Sequence, residues 1–338
     1  MKKDKHTDLF ESDRIGSAVL RLALPTVVSQ LTTTVYNLAD TFFVGMTGDH
    51  TQLAALSIVF PTQLALTALG NLFGIGAGNC ISKALGAKDP ERARNASRFA
   101  IWYGGLVVFL LSLAVGFFET PFLHLLGSTA ELNTPASAYL KWVVVLGALP
   151  AVFNMILANM IRGEGRSFHA GLGLSLGGVL NILLDPFFVL PFGLGWEIRG
   201  AAIATFLSNL ATTLYFVILY LKIRKTSVIS FAPRLLRAAK ETGVDVLFTG
   251  VPSALQTMLS AVSNLALNSL MIGYGAEAEA AIGVTKKIDA IPFGLITGLS
   301  QGAAPLIAYH RGAGNREKMK KTLRMAMCYC VGLGLTVL

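Results

Sequence analysis

Charged residues are scarce in this chain: Asp, Glu, Lys and Arg together make up only 14% of its 338 residues. An ordinary soluble domain carries about 25% charged residues. Hydrophobic residues account for 53% of the chain, and its mean hydropathy is +0.61. This composition excludes a typical soluble protein and indicates that most of the chain is surrounded by lipid.

Cysteines and catalytic motifs are also few or absent. The three cysteines lie in apolar stretches, and neither their number nor their spacing indicates a disulfide framework or a metal site. The chain has no G-x-x-x-x-G-K-[ST] loop and no H-E-x-x-H motif, and its five histidines are scattered. We therefore expect no use of ATP, no enzymatic activity and no bound organic cofactor.

Long apolar stretches recur throughout the chain, and each is long enough to form a transmembrane helix. The first of them is too long for a cleavable signal and lacks a small-residue cleavage site. We predict an all-α polytopic membrane protein with nine spans, at about 17–46, 53–82, 96–118, 137–161, 168–190, 199–222, 245–273, 280–308 and 322 to the C-terminus.

Most of the 28 lysines and arginines fall in the N-terminal tail and in every second loop after it. Because cytoplasmic loops are enriched in these residues, we predict a multi-pass protein of the cell (inner) membrane with a cytoplasmic N-terminus. The net charge of +9 then reflects orientation and does not indicate a nucleic-acid partner. At the loop around residues 161–166 (IRGEGR), we expect Arg162 and Arg166 to extend to the membrane surface.

The first and seventh spans resemble each other. Pro25 aligns with Pro252, Asn37 with Asn264, and Gly86 with Gly312 at nearly constant spacing. Six spans separate the two starts, so the halves enter the membrane from the same side, as parallel repeats do. We predict a first lobe at 1–222, a cytoplasmic amphipathic linker at 223–244 and an incomplete second lobe at 245–338. A complete second repeat would end at about residue 450, so we expect the chain to be part of a longer protein.

Several segments together resemble the multidrug and toxic compound extrusion (MATE) family, in particular its prokaryotic multidrug exporters. They are LALPTVVSQLTTTVYNLADTFFVG, GIGAGNCISKALGAKDPERAR, IRGEGR, NILLDPFF, GAAIATFLSN and GLSQGAAPLIAYHRGAGN. The resemblance covers nearly the whole chain. It implies a twelve-helix plan of two six-helix lobes with a central cleft and alternating access.

Two aspartates, Asp40 and Asp185, lie inside apolar spans, where an ionised carboxylate costs about 2.5–3.5 kcal/mol or more. Counting from the span ends, both acids and Thr205 lie roughly 8–9 Å below the outer surface. Asn37 and Asn181 lie one helical turn from the acids. Such oxygen ligands suit H⁺ or Na⁺, and in the resembling family the positions matching Asp40, Asn181, Asp185 and Thr205 form the cation or proton site. Alternatively, these side chains only hold helices together.

Other polar, aromatic and methionine side chains are candidates for a drug cleft, although packing within the bilayer is the alternative for each. They are Tyr36, Asn154, Met155, Gln256, Met258 and Lys287.

Taken together, these features favour a secondary antiporter that exports cationic, amphipathic drugs in exchange for H⁺ or Na⁺. A flippase for lipid-linked oligosaccharides has the same architecture, but its pyrophosphate cargo demands more basic residues in the cleft. A membrane scaffold that transports nothing leaves the two acids unexplained. We expect a monomer whose partners are small amphipathic cations and membrane lipid.

Overall fold

The computed structural model describes residues 8–233, 239–272, 274 and 276–337, and every regular element within these ranges is helical. The elements before the linker are, in chain order, α1 (Asp8–Glu11), α2 (Ile15–Gly45), α3 (His50–Gly86), α4 (Pro90–Phe99), α5 (Gly105–Phe117), α6 (Glu119–Leu125), α7 (Asn133–Leu140), α8 (Ala148–Gly163), α9 (Ser167–Val189) and α10 (Glu197–Ile223). After the linker follow α11 (Val244–Ile272), α12 (Ala276–Gly312) and α13 (Arg316–Val337).

Three of the spans contain π-helical turns within the described residues, and one of these turns, Ala239–Gly243, directly precedes α11. Ala100–Gly104 joins α4 to α5, and Lys141–Leu146 joins α7 to α8. The span formed by α7 and α8 also bends by 46° where α8 begins. π-helical turns inside longer helices are frequent at functional sites, and one residue of α7 does belong to the site described below.

Each of the nine predicted spans coincides with a helix or with a joined pair of helices. Within the described residues, seven are long and apolar enough to cross a membrane, and the bent α7–α8 pair makes an eighth. The ninth span, α13, does not meet this membrane-crossing criterion, and it begins at residue 316 rather than 322. It misses the criterion because its first half carries Arg316, Lys318, Lys320, Lys321 and Arg324.

The two halves of the chain meet along helices that the repeat relates to each other. α2 packs on α12, and α3 packs on α11. Because α2 corresponds to α11 and α3 to α12, these contacts are equivalent. Glycines allow both: a Cβ added to Gly298 would lie 2.6 Å from Val27 Cα, and one added to Gly250 would lie 2.7 Å from the carbonyl carbon of Leu72. Small residues at helix contacts allow this close approach in lipid.

The bundle has two ends that differ in charge. We call one the basic end; it holds α1, the α3–α4, α8–α9 and α12–α13 loops, and the linker. Ion pairs between Arg92 and Asp245 and between Lys318 and Asp13 lie there. At the opposite end, Gln52 donates a hydrogen bond to Glu197 over 2.6 Å and ties the start of α3 to the start of α10.

The linker is bound to the first half at the basic end. Oε1 of Glu164, in the α8–α9 loop, accepts hydrogen bonds from Ser227 Oγ (2.6 Å), Val228 N (2.6 Å) and Ile229 N (3.3 Å). In the predicted amphipathic run RLLRAAKE, residues 234–238 lie outside the described residues.

The arginines on either side of Glu164 do not extend to the membrane surface. Arg162 and Arg166 are only 2% and 7% exposed, so the prediction was wrong. Arg162 donates to Asn159, and Arg166 pairs with Glu164 and donates to Thr226. Arg166 is paired within the loop and the linker, which is compatible with burial of its charge. Arg162 bonds to Asn159 of α8 through Nη1, whereas its Nε has no hydrogen-bond partner among the described residues.

Candidate functional site

The polar groups of α9 and α10 meet inside the first half of the chain. Asn181 Nδ2 lies 3.3 Å from Asp185 Oδ1 and 3.3 Å from Thr205 Oγ1, and it donates to both. Asp185 is fully buried and Asn181 nearly so. The structure therefore brings together three of the predicted ion-site residues.

Asp40 reaches the same place from α2 and is also buried. Its carboxylate lies near the Tyr139 hydroxyl, which accepts a hydrogen bond from Gln63 Nε2 over 2.8 Å. Asp40 and Asp185 are close enough for their charges to interact. Five elements, α2, α3, α7, α9 and α10, thus contribute polar side chains to the cluster around the two acids.

Three buried oxygens at this site have no hydrogen-bond donor among the residues that the structure describes: Asp40 Oδ1, Asp185 Oδ2 and Asn181 Oδ1. A buried acceptor without a partner costs about 1–3 kcal/mol, and a charged one costs more. All three are hydrogen-bond acceptors. A bound cation can interact with several such acceptors at once, whereas a proton on one carboxyl oxygen satisfies that oxygen and one further acceptor.

Glycines in α9 bring the surrounding helices close enough to form the site. A Cβ added to Gly178 would lie 2.7 Å from Thr32 Cγ2 and 3.2 Å from Tyr36 Cδ1 of α2. A Cβ at the preceding glycine, Gly177, would overlap the hydroxyl of Thr212 in α10. Because α9 presents backbone at these positions, α2 and α10 can both pack against it.

The chemistry of the ligand set points to a small hard cation or a proton. Two carboxylates, an amide oxygen and a hydroxyl are oxygen ligands, which suit such ions better than transition metals. Among the described residues, no group of three or more His, Cys, Asp or Glu side chains is arranged to hold a metal ion.

Asn37 lies outside this cluster, although it was predicted to belong to it. Its side chain is exposed. Three residues of α-helix correspond to 300° of rotation, so Asn37 projects about 60° away from the direction of Asp40. That angle is enough to place it beyond the packed face of α2.

The predicted cleft residues of the first half are buried or half-buried. Asn154 is 2% exposed, donates to the backbone oxygen of Asn209 (2.9 Å) and accepts from Thr213 Oγ1 (2.8 Å). It therefore joins α8 to α10 inside the lobe, contrary to the prediction that it lines a cleft. Met155 is half-buried and packs over Gly70. Tyr36 is half-buried beside both acids.

The candidates in the second half lie on α11 and α12. Gln256 is exposed in a groove of α11 that also includes Ser260 and Asn264. Met258 is 39% exposed on the same helix. Lys287 belongs to α12, but its side chain lies outside the described part of the structure.

Two residues of the site, Tyr139 and Gln63, were not predicted. The fourth span was expected to begin at residue 137, which placed Tyr139 at the membrane surface. The helix begins at Asn133, so Tyr139 lies six residues, or roughly 9 Å, further in. Counting residues from the correct start of the helix gives Tyr139 the same depth as the two acids, so the method that selected the acids would also have selected Tyr139.

Residues 173–177 read G-L-S-L-G and match the letters of the G-x-S-x-G motif of α/β-hydrolases. That motif requires a sharp turn from a strand into a helix. Here it lies within α9, and the Thr32 hydroxyl lies 3.5 Å from Ser175 Oγ. These residues serve contact between α2 and α9, and the motif does not indicate a hydrolase.

The fold and the buried acids define a multi-pass membrane protein with an oxygen-lined polar site between its helices. The sequence matches the MatE family over residues 25–187 and 252–338. The chain therefore belongs to the MATE family, as its motifs suggested.

Relatives and solved structures agree with this assignment. The multidrug export protein MepA of Staphylococcus saprophyticus is 34% identical over 326 residues, which cover 96% of this chain and 71% of the relative. MepA of Staphylococcus aureus (strain NCTC 8325 / PS 47) is 33% identical over 325 residues, covering 95% and 70%. The outward-facing conformation of a multidrug resistance MATE family transporter of the MOP superfamily matches with a TM-score of 0.92 and 27% identity, over 100% of this chain and 74% of that one.

Proposed function

We propose that this protein is a secondary antiporter that exports cationic, amphipathic drugs in exchange for H⁺ or Na⁺. The observation that carries the proposal is the set of unpartnered, buried oxygens on Asp40, Asp185 and Asn181. The MATE assignment and the multidrug export relatives support drugs as the transported cargo.

The coupling ion binds between α2 and α9. Asp40 approaches from α2, while Asn181 and Asp185 approach from α9. Two neighbouring carboxylates repel each other when both are ionised, so a bound cation or proton favours close packing of these helices. The ion shifts the conformational equilibrium only by the difference between its affinities for the two states.

α2 connects this change to the second half of the chain. Its residues Ala23 and Val27 contact Gly302 and Gly298 of α12. A change in the position of α2 against α9 therefore alters the contact between the halves, which is where a cleft opens or closes. A membrane potential of 100 mV contributes about 2.3 kcal/mol for each charge that moves inward.

In this proposal the basic end faces the cytoplasm, since lysines and arginines favour that side. The ion site lies toward the opposite end, where the inward-moving ion enters. The protein works as a monomer in the cell membrane.

The test is drug efflux from proteoliposomes by wild-type protein and by Asp40→Asn and Asp185→Asn. Each substitution keeps the shape of the side chain but removes the charge, and we expect each to abolish ion-driven efflux. Glu131→Gln is the matched control, because it removes a carboxylate from an exposed loop residue. Efflux at the wild-type rate in both aspartate variants would refute the role of the site.

A Na⁺ gradient and a pH gradient, imposed separately, identify the ion. We expect one of the two to drive efflux in the wild-type protein and neither to do so in the aspartate variants. If neither gradient drives efflux in the wild type, antiport is refuted.

A further inference from the structure

Two helix ends cross in close contact at the basic end of the bundle. α3 ends at Gly86 and α12 ends at Gly312. A Cβ added to Gly86 would overlap the carbonyl oxygen of Tyr309 and lie 3.0 Å from the backbone nitrogen of Ala313. A Cβ added to Gly312 would overlap the carbonyl oxygen of Lys83 and lie 3.0 Å from its Cα.

The repeat relates the two sides of this crossing. Gly86 and Gly312 align in the two halves, and the residue three positions before each is the one whose backbone the other glycine touches: Lys83 and Tyr309. Each half therefore presents the same glycine to the same backbone position of the other half. The axis that relates the halves runs through the crossing.

The neighbours at this crossing are backbone atoms, which cannot rotate away as a side chain can. Real Cβ atoms do not approach other atoms so closely, and any side chain at either glycine forces the helices apart on the order of 1 Å. Glycine is therefore required for this contact in the observed conformation.

A second, independent contact stabilises the crossing between α3 and α12. Phe10 of α1 is fully buried, and its ring stacks on the ring of Tyr309 with 4.9 Å between centroids. Tyr309 donates a hydrogen bond to Glu11 Oε1 (3.4 Å), and Lys318 Nζ lies 2.6 Å from Asp13 Oδ1. The backbone of Tyr309 thus rests on Gly86, while its ring is held by the segment that precedes the first span.

We propose that Gly86 and Gly312 form the gate that closes the basic end of the cleft, and that the segment 8–14 latches it shut through Phe10. This inference rests on the proposed function in one respect, since it assumes that the two halves open alternately at the two ends. In the observed conformation the gate is closed. Opening the basic end separates α3 from α12 and exposes Phe10.

The first experiment measures the distance across the gate with spin labels on Lys88→Cys and Glu317→Cys, both exposed residues of the two loops. The native cysteines, Cys80, Cys328 and Cys330, are replaced by alanine. We expect Gly86→Ala and Gly312→Ala each to raise the ratio of long to short distances on the order of tenfold, because overpacked contacts disfavour the closed form. Phe10→Ala shifts the ratio in the same direction.

Gly332→Ala is the matched control, because it makes the same chemical change inside α13, where nothing lies within 4 Å of the added Cβ. It gives the wild-type distances. If the double variant Gly86→Ala/Gly312→Ala also keeps the wild-type distances, the gate is refuted.

The second experiment leaves both glycines in place and so does not depend on how the alanine variants fold. Ala87→Cys and Ala313→Cys adjoin the crossing, and we expect an oxidant to join them by a disulfide far faster than Ala87→Cys with Lys225→Cys. Equal rates for the two pairs overturn the proposal. Neither experiment uses a drug or a coupling ion, so the gate and the ion site fail or succeed separately.

Discussion

Glu164 holds the linker against the first half of the chain, and its removal gives the sharpest stability prediction. Glu164→Ala leaves the backbone N–H group of Val228 without its acceptor, whereas Ile229 N–H keeps the Ser227 hydroxyl as an acceptor at 3.0 Å. Each unsatisfied buried donor costs about 1–3 kcal/mol. Arg166 also loses its carboxylate partner, and breaking a buried ion pair costs about 3–5 kcal/mol. Because the segment can relax toward water, we expect a local loss of roughly 2–4 kcal/mol.

Hydrogen exchange measures this loss directly. Since 1.4 kcal/mol corresponds to a tenfold change, the amide of Val228 should exchange about 30- to 1,000-fold faster in Glu164→Ala than in the wild type. Amides in the middle of α9 should be unaffected. Glu131→Ala, which removes an exposed glutamate, serves as the control. Unchanged exchange at Val228 would mean that Glu164 does not hold the linker.

Glu164→Gln separates the charge of this residue from its shape. Burial raises the pKa of Glu164 above its ordinary value, against hydrogen bonds that favour the ionised form. When the pKa of an acid is higher in the folded than in the unfolded state, its contribution to stability is full below the unfolded pKa and is lost as pH rises through the folded pKa. We therefore expect the wild-type free energy of unfolding to fall, relative to that of Glu164→Gln, as pH rises above about 4.5. A constant difference between the two proteins across that range contradicts the assignment.

Three further predictions follow from packing and exposure. Gly178→Val separates α9 from Thr32 and Tyr36, so ion-driven efflux should be lost while helix content by circular dichroism is retained. Asn154→Ala removes a buried group that bonds to α10, so we expect the protein to lose about 1–3 kcal/mol in thermal or chemical unfolding while the ranking of transported drugs is unchanged. Arg92→Ala breaks a half-exposed ion pair, so its unfolding free energy should change by no more than about 1 kcal/mol, measured in the same way.

The nine helical segments could be predicted from the sequence because the length of an apolar stretch is a strong signal in a membrane protein. The grouping of Asp40, Asp185, Asn181 and Thr205 was accessible for a related reason. A helix rises by a fixed distance per residue, so counting from the span ends gives depth, and rare polar residues at one depth are brought together by packing.

The direction in which a side chain projects from its helix was much harder to predict from the sequence. Depth alone did not separate Asn37, which is exposed, from Asp40, which is buried. Asn154 was assigned to the cleft because polarity does not tell which side of α8 faces α10. Arg166 was expected at the surface because its partners, Glu164 and Thr226, come together only when the linker folds back. Arg162 was expected there too, but it bonds to Asn159 inside α8.

The proposed ion site and the proposed gate lie at different ends of the bundle, and the continuous helices α2 and α12 connect them. α2 carries Asp40 toward the opposite end and, four turns earlier, contacts α12 at Ala23 and Val27. α12 then continues from Gly298 to Gly312 at the basic end. Both helices are packed through glycine–backbone contacts, which tolerate little continuous sliding, because a shift of a fraction of an ångström already brings atoms into overlap. If the proposed ion binding at Asp40 displaces α2, we therefore expect a discrete rather than a gradual change at the proposed gate, which is the property that alternating access requires.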